Sequence, residues 1–141
     1  MELSKKDKAY FNIAKEVSLL SDFPKTKIGC CAVYKHKVIS TGFNSRRTSP
    51  LQKKYNKYRF YTEMPGAKHT CHAELSCLKP LMNRKDIDFK NVSVYIYREH
   101  KSGGLALAKP CASCEALIRA LGVRNIYYTG NNSYISEEII Y

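Results

Sequence analysis

Two short stretches constrain this chain more than anything else in it. Cys71-His72-Ala73-Glu74-Leu75 presents His-x-Glu, and Pro110-Cys111-Ala112-Ser113-Cys114 presents Pro-Cys-x-x-Cys. Zn²⁺ favours imidazole nitrogen and thiolate sulfur in a tetrahedral shell, and a catalytic zinc keeps its fourth position for water. His72, Cys111 and Cys114 supply three such ligands, which predicts Zn²⁺ as the cofactor and a fold that brings the two stretches together. Two cysteines separated by two residues can grip one ion from the first turn of a helix. Free backbone N–H groups and the helix dipole favour thiolate there. Pro110 suits a helix start.

Glu74 lies two residues beyond His72, so it need not compete for the metal. Zinc makes a water acidic enough to ionise near neutral pH. A carboxylate beside that water can take its proton, pass it to a ring nitrogen, and help an amine leave as ammonia. These parts suit hydrolytic attack on the amino-bearing carbon of a pyrimidine or purine. The plainer reading of Cys-x-x-Cys is a redox pair or half of a structural zinc knuckle. A structural site wants a fourth protein ligand, for which Cys71 and Cys77 are the candidates. Neighbours on a helix do not share a face, which counts against Cys71. Cys77 reads better as a small apolar core side chain.

At 141 residues the chain suits one domain with a real core. No apolar run approaches the ~18 residues of a membrane helix. Residues 1–8 lack a secretory apolar segment, and six cysteines without one point to a reducing, cytoplasmic compartment. The formal net charge of +12 predicts anionic partners, either free nucleotide or polymer, against the alternative of general surface basicity.

Apolar spacing predicts a helix over 4–20 with Ser4 as N-cap. Strands are expected at 28–34 and 38–43, joined by a turn at 35–37 with His36 exposed at its tip; Cys30 and Cys31 read as strand core. Asn44 then stands either in the site or in a turn, which asparagine favours anyway. Residues 45–70 read as a long irregular loop, a kind that is often functional. Its Arg46, Arg47, Lys53, Lys54, Lys57, Arg59 and Lys68 interleave with Tyr55, Tyr58, Phe60 and Tyr61. Three readings stand for it: a single-strand platform of cations and stacking rings, a lid over a nucleotide, or packed rings with solvated cations. His69 is a weak further metal candidate. A helix is expected at 71–78 and broken near Pro80, then a connector at 86–90, a strand at 92–97 and a basic loop at 98–109. The second cysteine motif opens a helix at 111–121 with Gly122 beyond its end. A strand at 123–129, a turn at 130–132 and a short terminal helix from Ser136 complete the chain. This order predicts a layered α/β domain on a mixed sheet that begins with an antiparallel hairpin. Both metal motifs then sit at helix N-termini on one sheet edge.

With that element order, Gly42-Phe43-Asn44, His72-Ala73-Glu74-Leu75 and Pro110-Cys111-Ala112-Ser113-Cys114 resemble the cytidine/deoxycytidylate deaminase superfamily. The likeness covers most of the chain. His-Ala-Glu-Leu is similar to the deoxycytidylate deaminases. Ser49-Pro50-Leu51-Gln52-Lys53-Lys54-Tyr55, with Gly104 through Cys111, resembles small deaminase-like proteins of bacteriophages and large DNA viruses. The resemblance implies a three-layer α/β/α fold with a central mixed five-stranded sheet, one deaminase domain over 1–141, one zinc and homo-oligomers. For a phage-derived chain the compartment would be the host cytoplasm. It also implies Glu74 as proton shuttle, Asn44 on the sugar or base, and Ala73 beside the ring.

The leading expectation is deamination of a cytosine base at nucleotide level, dCMP-like, with basic residues such as Arg46 and Arg47 on the phosphate. The second is deamination of cytosine or adenine in single-stranded DNA or RNA. Lys53, Lys54, Tyr55, Lys57, Tyr58 and Arg59 would then contact the strand. The third is a nucleic-acid-binding module with structural zinc, in which Glu74 would have no use.

Overall fold

The computed structural model describes residues 3–24, 26–57 and 70–140. Helix α1 spans Lys5–Ser18, and the Ser4 hydroxyl accepts from the Asp7 amide at 3.1 Å, the expected N-cap. Strands β1 (Ile28–Tyr34) and β2 (Lys37–Phe43) form the expected hairpin. Lys35 and His36 turn it with φ of 51° and 64°, a left-handed pair that matches the twist of the flanking strands. Strand β3 (Ser45–Thr48), helix α2 (Pro50–Asn56) and strand β4 (Thr70–Cys71) follow, then helix α3 (Ala73–Leu78). Strand β5 (Val92–Arg98), helix α4 (Ala112–Leu121), strand β6 (Asn125–Gly130) and strand β7 (Ser133–Glu138) complete the chain.

The main sheet has five strands in the order β2-β1-β5-β6-β7. All pairs are antiparallel except β5 and β6, which run parallel across the α4 crossover. Alternation along β1 assigns its side chains to opposite faces. Cys31 and Val33 join Phe11, Ala14, Tyr95 and Tyr97 under α1. Cys30 and Ala32 join Leu75, Leu78, Val94, Ile96, Leu117 and Ile118 under α3 and α4. This is the three-layer α/β/α arrangement with a mixed five-stranded sheet.

Two glycines set how closely the layers approach. A Cβ on Gly29 would overlap the Ala14 carbonyl oxygen of α1, and a Cβ on Gly42 would overlap the Cys77 amide nitrogen of α3. Each helix therefore lies almost directly on strand backbone.

Two expectations are corrected. The terminal helix from Ser136 is instead strand β7. Tyr134 packs toward the α1 face and Ile135 toward the other, a period-two pattern that pairs with the edge of β6. The Tyr128 hydroxyl also donates to Glu137 Oε2 at 3.0 Å. The cap-like Ser-Glu-Glu signal yields to this pairing, because the ladder to β6 satisfies the backbone of Ser133–Glu138. The second correction is that 45–70 is not irregular throughout. Strand β3 pairs antiparallel with β4, and α2 begins on Ser49, whose hydroxyl accepts from the Gln52 amide, with Pro50 at the helix start. Tyr58, Arg59, Phe60, Tyr61, Lys68 and His69 lie outside the described residues.

Pro80 breaks α3 as expected, and a 3₁₀ turn at Lys79–Leu81 follows. Gly122 closes α4 at φ 93°, and its amide bonds back to Ile118 and Arg119.

Candidate active site

The short pairing of β4 with β3 delivers the chain to the N-terminus of α3. His72 is the N-cap residue there, in extended backbone geometry, and Ala73 and Glu74 form the first turn. Leu75, Cys77 and Leu78 fix the helix by burial in the core. On the other side, Cys111 is the N-cap of α4 and Cys114 lies one turn in. Pro110 therefore precedes the cap and the helix begins at Ala112.

The two motifs meet. His72 Nδ1 lies 3.3 Å from Cys114 Sγ and 3.5 Å from Cys111 Sγ. The three possible ligand atoms fall within 4.8 Å of one another, close enough to share one ion. Among the described residues this is the one such cluster of His, Cys, Asp or Glu. Cys71 and Cys77 stand outside it. The Cys71 thiol faces the His72 carbonyl, and the Cys77 thiol faces the Ser40 carbonyl, each at 3.6 Å.

The electrostatics sort the thiols. Donation from Cys114, with a further bond from His72, holds Cys111 down to about 3. Cys114 goes the other way, because its proton serves Cys111 and because it is buried. Burial also raises Cys30, Cys31 and Cys71. One imidazole and two thiols within 4.8 Å of one another form a donor set that suits zinc.

Glu74 is buried at the same place. Its loss of water raises its pKa, and the nearby His72 pulls it partly back. His72, Glu74 and Cys111 line one cavity of about 300 Å³, at the small end of ligand pockets. Asn44, Thr70 and Cys71 line it as well.

Asn44 lines the cavity, and its side chain ties down the backbone before β1. Oδ1 accepts from the Ile28 amide at 2.9 Å, and Nδ2 donates to the Thr26 carbonyl at 2.7 Å. Ala73 is wholly buried in the core under α3.

Arg46 and Arg47 are not brought to this cavity. Both are exposed on β3, and the Arg46 amide donates to Asp22 Oδ1. Arg47 lines a different, larger cavity of about 720 Å³ with Lys79, which takes in neither Glu74 nor the cluster. Volume and chemistry therefore disagree, and the site is placed by its chemistry. Lys53, Lys54 and Lys57 are exposed on and just beyond α2, while Tyr55 packs against the core with Lys54 Nζ 5.8 Å from its ring centroid.

Phe23, Thr26, Thr70 and Lys109 also line the smaller cavity, and the sequence did not single them out as site residues. Lys109 adjoins Pro110-Cys111 and was within reach of that reasoning. Phe23 and Thr26 carry no local signal, because only the fold of the α1–β1 connection brings them there.

Residues 4–130 match the family described as the cytidine and deoxycytidylate deaminase zinc-binding region. The chain belongs to that family, and Zn²⁺ is its cofactor. The mouse deoxycytidylate deaminase is 27% identical over 128 residues, covering 82% of this chain. The chain spans 59% of the length of that curated relative. Among solved structures, the dCMP deaminase of cyanophage S-TIM5, in complex with dCMP and dUMP, aligns with a TM-score of 0.60 at 20% identity. The alignment covers 90% of this chain and 83% of that one. Cytidine deaminase from Burkholderia pseudomallei aligns with a TM-score of 0.62 at 14% identity, over 96% and 93% of the two chains. At those identities the likeness is one of fold.

Proposed function

We propose that this protein hydrolytically deaminates a cytosine base carried on a nucleotide, a dCMP-like substrate giving the uracil product and ammonia. The observation that carries this reading is the convergence of His72, Cys111 and Glu74 on the wall of one cavity, with Cys114 completing the cluster behind them. The mouse relative and the cyanophage neighbour, whose solved complex holds dCMP and dUMP, support the nucleotide level.

His72, Cys111 and Cys114 would hold the zinc. When bound, zinc supplies a Lewis acid that lowers the pKa of the water it holds. Glu74 accepts a proton from the attacking water and delivers it to ring N3 as the new C4–O bond forms. It then relays the second proton to the exocyclic amine, so the C4–N bond breaks with ammonia as the neutral leaving group. Burial around Glu74 keeps bulk water from competing for those protons. Asn44 presents its remaining N–H and lone pair to the sugar or base. Lys109, the exposed lysine lining the cavity, faces the phosphate in place of Arg46 and Arg47, which do not line it.

A second reading has one observation in its favour. The exposed cations of α2 lie on the helix whose buried Gln52 touches the His72 amide. A single strand bound across α2 would therefore pass close to the cluster.

The experiment is a deamination assay on zinc-loaded protein with dCMP, deoxycytidine and a cytosine-containing single strand, read by mass spectrometry. Turnover of dCMP, abolished in Glu74→Ala protein that still holds zinc, is the expected result. Turnover on the strand alone would replace the nucleotide reading with the polymer one. Zinc binding with no turnover on any of the three would overturn cytosine as the base and bring adenine forward.

A further inference from the structure

The two halves of the metal cluster come from α3 and α4, and a third element joins them. Gln52, on α2, has 0% exposure, so its amide must satisfy itself within the protein. It does so on both halves. Its Oε1 accepts from the His72 backbone amide at 3.1 Å. Its Nε2 donates to Ser113 Oγ at 3.0 Å and to Asn56 Oδ1 at 2.8 Å. The backbone N–H of His72 can only donate, so the oxygen of the Gln52 amide must face it, and both amide hydrogens are left for the other side. Ser113 lies between Cys111 and Cys114 and is itself wholly buried. The Ser49 cap and Pro50 start the helix that carries Gln52. Asn56, one turn further along α2, holds the amide plane in place.

We infer that Gln52 is a positioning residue for the metal centre, a single buried amide that fixes the His72 backbone against the Cys111–Cys114 turn. It is neither among the residues lining the cavity nor one of the three clustered ligands. Its effect is on where the imidazole can be relative to the two sulfurs, and metal sites lose affinity when such outer contacts are removed. Gln52→Leu removes the Gln52 oxygen from the His72 amide and cuts the tie to α4. Ser113→Ala cuts only the tie to α4.

This inference rests on His72, Cys111 and Cys114 being the zinc ligands. The test uses full-length zinc-loaded protein and follows transfer of zinc to a chromogenic chelator at a temperature well below melting. A parallel Co²⁺ substitution reads ligand geometry from the visible d–d bands. In Gln52→Leu, zinc release should accelerate by about 10–100-fold, the usual range for lost outer-shell contacts, with altered d–d bands. Ser113→Ala should show a smaller change in the same direction, and it decides the matter if Gln52→Leu does not fold. Val33→Ala, in the opposite layer, serves as a destabilised control that should release zinc at the wild-type rate. Unchanged release and unchanged d–d bands in the folded variants would overturn the role of Gln52. Acceleration in the Val33→Ala control equal to that in the Gln52 and Ser113 variants would also overturn it, by making the effect one of general stability. Failure of the wild-type protein to bind zinc would instead refute the ligand assignment.

Discussion

Among the described residues, one face of the sheet carries a helix of 14 residues over a bed of rings, and the other carries the shorter helices α2, α3 and α4 over a core that encloses polar groups. Under α1, Phe11 meets Tyr95 edge-on at 5.2 Å, and Tyr95 stacks on Tyr127 at 4.4 Å. The polar end of Tyr95 is satisfied locally, since its hydroxyl donates to Asp7 Oδ1 at 2.6 Å. Under α3 and α4 the buried packing is mainly aliphatic, with Tyr128 the buried ring, and the same layer buries Gln52, Asn56, Glu74 and Ser113. Aromatic packing draws on buried area and ring geometry, without a chain of buried donors and acceptors. A buried hydrogen-bonded network resists displacement, because each displaced donor or acceptor costs its desolvation. The layer with the chemistry is thus the one in which position is set by directional bonds.

The sharpest way to break that comparison is Phe11→Ala. Truncating a buried phenylalanine costs about 3–5 kcal/mol, and urea unfolding should show a loss of that order. Turnover and zinc content per folded molecule should stay at wild-type values. A drop in either would mean that the α1 layer also sets the site.

The two glycines give a matched pair. Gly29→Ala and Gly42→Ala each force a helix off the sheet, at about 1–3 kcal/mol for overpacking. Only Gly42→Ala moves α3, so only it should speed zinc release and lower kcat. Equal kinetic damage from both would erase the distinction between the layers.

Tyr95→Phe should cost about 0.5–1.5 kcal/mol, the worth of one net hydrogen bond, with no kinetic signature.

The smallest effect is a pH slope. Burial raises the pKa of Glu74, so in chelator-stripped protein the folded state holds its proton more tightly than the unfolded chain does. Stability then falls as pH rises from the ordinary glutamate value of ~4.3 through the raised one, and is flat beyond it. Glu74→Gln lacks this loss. Its advantage over wild type in urea melts should grow across that window, and an advantage that shrinks with rising pH would reverse the sign argued here.

The sequence carried the centre of the site more fully than its surroundings. His72, Glu74, Cys111 and Cys114 are legible because metal chemistry demands particular residue types at particular spacings. The β1–β2 hairpin and the ends of α1 and α4 are legible because caps, turns and alternation are local. Strand β7 was misread because the same Ser-Glu-Glu can cap a helix or run along a sheet edge, and the partner strand decides. Helix α2 was missed although Ser49-Pro50 announces it, because the run of lysines and tyrosines after it drew attention to charge. Gln52 has no sequence signal as a bridge: its three partners lie up to 61 positions away in the chain and meet only in the fold.

The separation of His72 from Cys111 along the chain has one more consequence. An ion held by both closes the intervening segment into a ring only once the two stretches have met, so zinc acts on folding as well as on the reaction. The entropy of that closure grows only slowly with segment length, and the binding free energy of the ion to the folded chain offsets it. Stability then becomes a function of supply. Well above saturation, each tenfold rise in free zinc adds about 1.4 kcal/mol, so resistance to unfolding would track the free zinc around the protein, quite apart from any turnover.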